Sequence, residues 1–318
     1  LTVSSTSLKP SGVTAADIVG GVDASTGKET GLELIRQIYP TLGMVPGLIL
    51  APGWSHTPTV AAALQAKTEN INGNLNCSCL LDISADSDGA VVYTSVKGAK
   101  EALGASSPHA AALWPMVAVG EKKYYFSAMF AALTAYTDAN NADVPYESPS
   151  NKDLRITATV LKDGTTVALD QQQADDVLNA NGVITAVNAD GFKSWGNNTA
   201  AYPSTTDPKD RWWAVRRFFD WDGNNFIRTY FQKVDKPGNK RLIQSIVDSQ
   251  NIIGNGYVAR DYCAGYRVEF RSDENPVTNL LAGHLTTHTY MAPYIPAEYI
   301  ENVREYDVDA LESAIGGE

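Results

Sequence analysis

The residues best suited by type and spacing to do chemistry are Gly53-Trp54-Ser55-His56-Thr57. They sit between an apolar run and a helix-opening Thr57-Pro58, where a hydrolase would carry a strained strand-to-helix turn that exposes its serine. A base for Ser55 would have to be His284 or His288. Thr57 stands where that motif requires a second glycine, because the turn leaves no room for a Cβ. The segment therefore reads first as a polar turn. An α/β serine hydrolase using Ser55 is the alternative.

His284-Leu285-Thr286-Thr287-His288 has the spacing of half a zinc helix but lacks the glutamate after the first histidine. The segment is β-rich, and in a strand residues i and i+4 lie about 13 Å apart, too far to share one ion. Gly43-Met44-Val45-Pro46-Gly47 has the wrong spacing for a phosphate loop, and Pro46 has no N–H to offer. Asp86 and Asp88 read as a solvated acidic loop rather than a calcium site. Asn76-Cys77-Ser78 and Asn197-Asn198-Thr199 fit the glycosylation pattern, which means little without a secretory leader. Trp54, Trp195, Trp212, Trp213 and Trp221 would line a groove in a carbohydrate- or partner-binding module; core packing is the plainer reading. No catalytic residue, metal or cofactor is expected.

The elements that must position these residues alternate. Gly31–Tyr39 has helical spacing and should end at Pro40. Gly47–Pro52 reads as a buried strand, and Thr57 to about Lys67 as a helix opened by Pro58. Cys79–Ile83 is a second buried strand, followed by a helix near 89–103, an apolar stretch Ala111–Val119 and a helix Tyr124–Tyr136. A short helix, Ala174–Ala180, is closed by Asn181-Gly182; Val183–Asn188 is a strand, Asp190-Gly191 a turn, and 200–211 a loop. This alternation argues for a layered α/β domain over 1–204. Two helices follow, Trp212–Tyr230 and Lys240 to about Ile253. Strands near 265–271, 284–291 and 299–306 complete a smaller α+β domain over 205–318.

The chain has 318 residues, 44% of them hydrophobic, enough for about two domains with real cores. Only 19% are charged, as expected if surface is buried against other copies. The net charge of −11 argues against binding nucleic acid or an anionic membrane through the chain as a whole, since phosphate recognition needs clustered Lys and Arg. Cys77, Cys79 and Cys263 are odd in number and fit no disulfide framework, so they are expected to be buried thiols in a protein made in a reducing cytoplasm. No apolar run approaches the roughly 20 residues of a membrane span. The start, Leu1-Thr2-Val3-Ser4-Ser5, has neither a charged leader region nor an initiator Met, and a preceding segment is expected.

Charge is segregated along the second half. Residues 209–241 carry nine basic groups against four acidic ones, whereas 298–318 carry seven acidic groups and Arg304. Opposite patches on one chain suit head-to-tail self-association. The competing reading leaves both as solvated faces, with Arg216 and Arg217 paired inside the domain.

A string of short motifs completes the picture: Ile49-Leu50-Ala51-Pro52-Gly53-Trp54-Ser55, Ser148-Pro149-Ser150-Asn151-Lys152, Trp195-Gly196-Asn197-Asn198-Thr199, Val215-Arg216-Arg217, Asn275-Pro276 and Pro296-Ala297-Glu298-Tyr299-Ile300. None supplies a nucleophile, a metal cage or a phosphate cradle. In this order, and with Ala16–Gly21, Thr30-Gly31-Leu32 and Gly283 around them, the chain resembles the contractile tail sheath proteins of myophages and R-type pyocin-like particles. The resemblance implies a non-enzymatic subunit of hexameric rings stacked into a helical sleeve around a tail tube. Contraction of that sleeve drives the tube through a bacterial envelope, with no nucleotide needed.

Its implied partners are further copies of itself, the tube protein, and baseplate and tail terminator proteins, in a virion tail or tail-like particle made in the bacterial cytoplasm. No nucleic acid and no membrane insertion are implied. The resemblance also implies a mesh in which terminal strands augment a neighbour's C-terminal sheet. Tyr299, Ile300, Val303, Tyr306 and Val308 are the candidate donated strand. The family's N-terminal donated strand is expected to precede Leu1. Arg228, Lys233, Lys236, Lys240 and Arg241 are the candidates for facing the tube. Ser148, Asn151, Lys152, Trp195, Gly196 and Thr199 are expected to brace the larger domain, and Arg216 and Arg217 to enter the smaller one.

Overall fold

The computed structural model describes residues 12–316. A capped helix α1 (Ala15–Val19) leads into a short hairpin of β1 (Gly21–Val22) and β2 (Glu29–Thr30). The helix expected over 31–39 forms differently. Gly31–Gln37 is a 3₁₀ turn, and α2 (Ile38–Leu42) follows with Pro40 as its third residue. Proline is tolerated there because first-turn N–H groups have no intrahelical acceptor to lose. Gly43, at φ +67°, ends the helix instead.

β3 (Leu48–Leu50), α3 (Pro58–Ala66) and β4 (Ser78–Asp82) fall where the apolar runs placed them. The next helix starts late: Tyr93–Ser95 is a 3₁₀ turn, and α4 spans Val96–Leu103. The stretch Ala111–Val119 is two strands rather than one. β5 (Ala110–Leu113) and β6 (Met116–Val119) belong to different sheets and are broken at Trp114-Pro115, where proline cannot donate to a ladder. Then come β7 (Lys122–Tyr124), α5 (Phe126–Asn140) and β8 (Ala158–Val160). α6 (Gln171–Gln173) runs on as a π turn to Leu178 and a 3₁₀ turn to Asn181, closed by left-handed Gly182. β9 (Val183–Asn188) and β10 (Phe192–Trp195) form a hairpin through Asp190 and Gly191, both at positive φ.

The main sheet has the order β10-β9-β5-β4-β3, parallel throughout except for β10 at its edge. All five residues of β4 are buried, as a parallel strand covered on both faces requires. One face carries Val60, Leu64, Val96 and Leu103; the other carries Phe126, Phe130 and Trp213. β7-β6-β8 is a separate three-stranded sheet.

The remaining elements are α7 (Pro208–Arg211), α8 (Trp213–Tyr230), a 3₁₀ turn at Phe231–Lys233, α9 (Lys240–Val258), β11 (Cys263–Glu269), α10 (Val277–Leu281), β12 (His288–Pro293) and α11 (Val308–Ile315). α8 serves two cores. Its first turn buries Trp213 with Phe126 and Phe130, and its second buries Phe218 with Tyr257, Cys263 and Tyr266. α9 packs on β11 so closely that a Cβ on Gly254 would lie 1.9 Å from Cδ1 of Tyr266. Residues 294–307 are irregular. The strand expected over 299–306 is therefore absent from the single chain, and Val308 opens a helix instead. A strand needs a partner for its backbone groups, and among the described residues this segment pairs with none.

Candidate assembly surface

The reactive-looking residues are spent on structure. Ser55 is fully buried; its hydroxyl donates to Oδ2 of Asp82 at 2.8 Å and accepts the Asp82 N–H at 3.1 Å. Ser127 adds its backbone N–H to Oδ1 at 2.8 Å and its hydroxyl to Oδ2 at 2.5 Å. Burial raises the Asp82 pKa while these donors pull it down. The cluster ties the end of β4 to the loop after β3 and the start of α5. His56 stacks on Tyr125 and His288 bonds Glu274 at 2.6 Å through Nδ1, while His284 lies in the turn after α10. Ser55 therefore has no histidine among its hydrogen-bond partners. Among the described residues no three His, Cys, Asp or Glu side chains come together as a metal cage, and no helix is long and apolar enough to cross a membrane. The three cysteines are free and buried, and burial pushes the Cys77 thiol up to about 12.

The tryptophans do not share a groove. Trp54 packs on the first core, Trp213 lies in the second and Trp221 on the third, while Trp195 donates Nε1–H to Asp175 at 2.6 Å. The Arg211 guanidinium lies over Trp212, 4.0 Å from the ring centroid, and over Tyr202 at 4.5 Å.

The motif residues hold one another. Ser148 donates to Asn197 Oδ1 at 2.6 Å, Ser150 Oγ accepts the Gly196 N–H at 3.0 Å, and Asn151, in the left-handed region, donates its N–H to the Ser194 carbonyl. Lys152 pairs with Glu147. Gly196 must be glycine, since its φ is +130° and a Cβ would lie 2.5 Å from Asn179 Oδ1. Thr199 bonds the Asp210 and Arg211 carbonyls. A groove of about 480 Å³ runs over this brace, its far wall formed by Tyr294–Glu298 at the root of the tail.

Both arginines of Val215-Arg216-Arg217 are paired internally. Arg216 bridges Asp210 at 3.0 Å and Asp220 at 2.9 Å, and Arg217 forks onto Asp138. Asp220 also faces Nδ1 of buried His109 at 2.8 Å, whose Nε2 meets Glu69 at 3.0 Å. Sequence reasoning missed this chain of charges, because nothing local marks His109 as a partner for a residue 111 positions away.

What is left free is the outer surface. Arg228, Lys233, Lys236, Lys240 and Arg241 are all exposed around the α8–α9 corner, and among the described residues none is ion-paired. Among the described residues β11 and β12 pair only with each other. The outer edge of β12 is open, while on the β11 edge Asn251 of α9 caps Val268, accepting its N–H and donating to its carbonyl at 2.9 Å each. Tyr299, Ile300 and Val303 are 82%, 85% and 82% exposed, and Tyr306 and Val308 are exposed too. The tail is tied at its root, where Glu298 accepts from Arg211 Nη2 at 3.1 Å.

No family model matches the sequence. Relatives do. A tail sheath protein of Burkholderia phage BcepMu is 28% identical over a 323-residue alignment that covers 97% of this chain. A putative prophage major tail sheath protein of Pseudomonas aeruginosa is 25% identical across 89% of it. This chain is a homologue of contractile tail sheath proteins. It spans 65% of the length of the BcepMu protein and 70% of the Pseudomonas one. The sheath fold is also seen in the backbone: a contracted sheath complex of an extracellular contractile injection system superposes with a TM-score of 0.70 at 18% identity, over 88% of this chain and 76% of that one. Beside this sheath fold, the open edge of β12 and the bare tail become the surfaces of interest.

Proposed function

We propose that this chain is a structural subunit of a contractile tail sheath in a virion tail or tail-like particle, made in the host cytoplasm. It polymerises as stacked hexameric rings around a tail tube, and contraction of the polymer drives the tube through a bacterial envelope. The observation that carries the reading is the presence, on one chain, of an exposed apolar tail and a two-stranded sheet whose β12 edge is open among the described residues. An edge strand and an extended segment on the same chain suit strand addition between copies, which supplies main-chain hydrogen bonds and tolerates rigid-body rotation about a linker. Tyr299, Ile300, Val303 and Tyr306 form the donated segment.

The two lobes, 1–204 and 205–318, share α8, which would pass force from the tail-bearing sheet to the larger sheet. Arg228, Lys233, Lys236, Lys240 and Arg241 face an acidic tube surface, and baseplate and terminator proteins hold the polymer's ends. The reading is non-enzymatic: Ser55 is buried and bonded to Asp82.

Negative-stain microscopy of the full-length protein tests this. Sleeves are expected from the intact chain and only unassembled subunits after deletion of 298–318. Normal sleeves from the deleted chain would overturn the strand-donor reading. Reversing Lys233, Lys236 and Lys240 to Glu is expected to abolish salt-sensitive tube binding while leaving the subunit folded.

A further inference from the structure

The tail does not stop at its extended segment. α11 carries Val308, Leu311 and Ile315 at helical spacing on one side, all exposed, with Ile315 at 75%. Asp307, Asp309 and Glu312 frame the stripe. Eight residues are too few for a helix to persist alone in water, so α11 needs a surface to lie on.

A matching surface sits between β11 and β12. α10 exposes Val277, Leu280 and Leu281, the last at 84%, and Leu285 joins them. This platform is built. Buried Asn275 donates through Nδ2 to the carbonyls of Arg271 and Thr286 at 2.8 Å each and accepts the Thr286 N–H at 2.8 Å, closing the loop that presents α10. Exposed leucines on a loop fixed by three such bonds point to a binding surface. A Cβ on Gly238 would lie 3.5 Å from Leu285 Cδ1, so the α8–α9 corner, which carries Lys236 and Lys240 within two residues of Gly238, borders the patch.

We infer that α11 of one copy docks on the α10 platform of a second copy, as a lock added after the donated strand. Charge complementarity chooses the occupant: an acid-framed apolar stripe meets a base-rimmed apolar patch on the same kind of chain. A stripe exposed on its own chain and a patch exposed on the same chain make a head-to-tail contact that propagates through a polymer. The inference rests on the strand-donor reading and extends it. It requires the donated segment to run antiparallel to β12, because only that direction brings the tail out at the His288 end of the sheet, where the α10 loop rejoins it.

The test mixes full-length copies carrying single cysteines. Leu311→Cys with Leu281→Cys is expected to cross-link under mild oxidation at least tenfold more than Leu311→Cys with Ile252→Cys, a control position exposed on α9. Val303→Cys with Thr289→Cys reports the strand separately. A strand cross-link without the helix cross-link overturns this inference and leaves the strand-donor reading standing; absence of both overturns both. Truncation after Tyr306 provides a second measure. It is expected to keep sleeves forming but to raise the subunit concentration needed for assembly about tenfold, and an unchanged requirement would count against the lock.

Discussion

Nδ1 of His109 lies 2.8 Å from Oδ2 of Asp220, joining the start of β5 to the middle of α8 inside the protein. Asp220 also holds Arg216, so one carboxylate serves two partners taken from different parts of the chain. Removing it leaves a half-buried guanidinium with Asp210 alone and a buried imidazole short of an acceptor, which costs roughly 3 kcal/mol. Asp220→Ala and His109→Ala should each destabilise the monomer to urea, and the double variant should lose about 1 kcal/mol less than the sum or better. Additive losses would mean the two residues do not interact. Glu69→Gln, on the solvent side of the same ring, should change stability by under about 0.5 kcal/mol.

Asp222 gives a pH signature. Burial raises its carboxyl to about 6 from 3.8, against the pull of the Tyr266 hydroxyl that donates to it. Between those values the folded chain keeps a proton that the unfolded chain has released. Its contribution to stability therefore falls as pH rises through that window and levels off above about 6. Asp222→Asn keeps an acceptor for Tyr266 and carries no charge. It should raise the melting temperature at pH 8, by up to roughly 3 kcal/mol in stability, and the gain should vanish below about pH 4. A gain independent of pH would contradict this cause.

Two glycines of α9 should respond in opposite directions. Gly254→Ala drives a methyl into the Tyr266 ring, which cannot swing away because its hydroxyl is held by Asp222 and Gln250. A loss of about 1–3 kcal/mol is expected. Gly256→Ala meets nothing within 4 Å and should gain up to about 1 kcal/mol from helix propensity. Denaturant midpoints of the two variants check the pair.

Ser55→Ala should cost about 1–3 kcal/mol by leaving the Asp82 N–H without its acceptor and the carboxylate without one donor. The native chain should stay unlabelled by a serine-reactive fluorophosphonate; labelling lost in Ser55→Ala would restore the hydrolase.

The elements legible in the sequence are those whose cause is local. Val183–Asn188 is an apolar run bracketed by Asn181-Gly182 and Asp190-Gly191, and it forms the strand read from it. Pro58 opens α3 as its position demands. The misreadings have wider causes. At 31–42 a first-turn proline extends a helix that it was expected to end, and at Trp114-Pro115 one apolar run is shared between two sheets. The fates of Ser55 and Arg217 depend on partners brought by the fold, Asp82 across 27 positions and Asp138 across 79. At 299–306 the pattern described a strand that pairs with nothing among the described residues.

The stacked guanidinium of Arg211, by gripping Glu298, fixes where the tail leaves the body. From Tyr299 to Val308 an extended chain can reach at most about 35 Å. Such a tail acts as a leash of set length. A neighbour that holds the segment along its sheet would stay within that radius of the Arg211 grip, so the reach of ten residues would bound how far adjacent subunits separate in any state of the polymer.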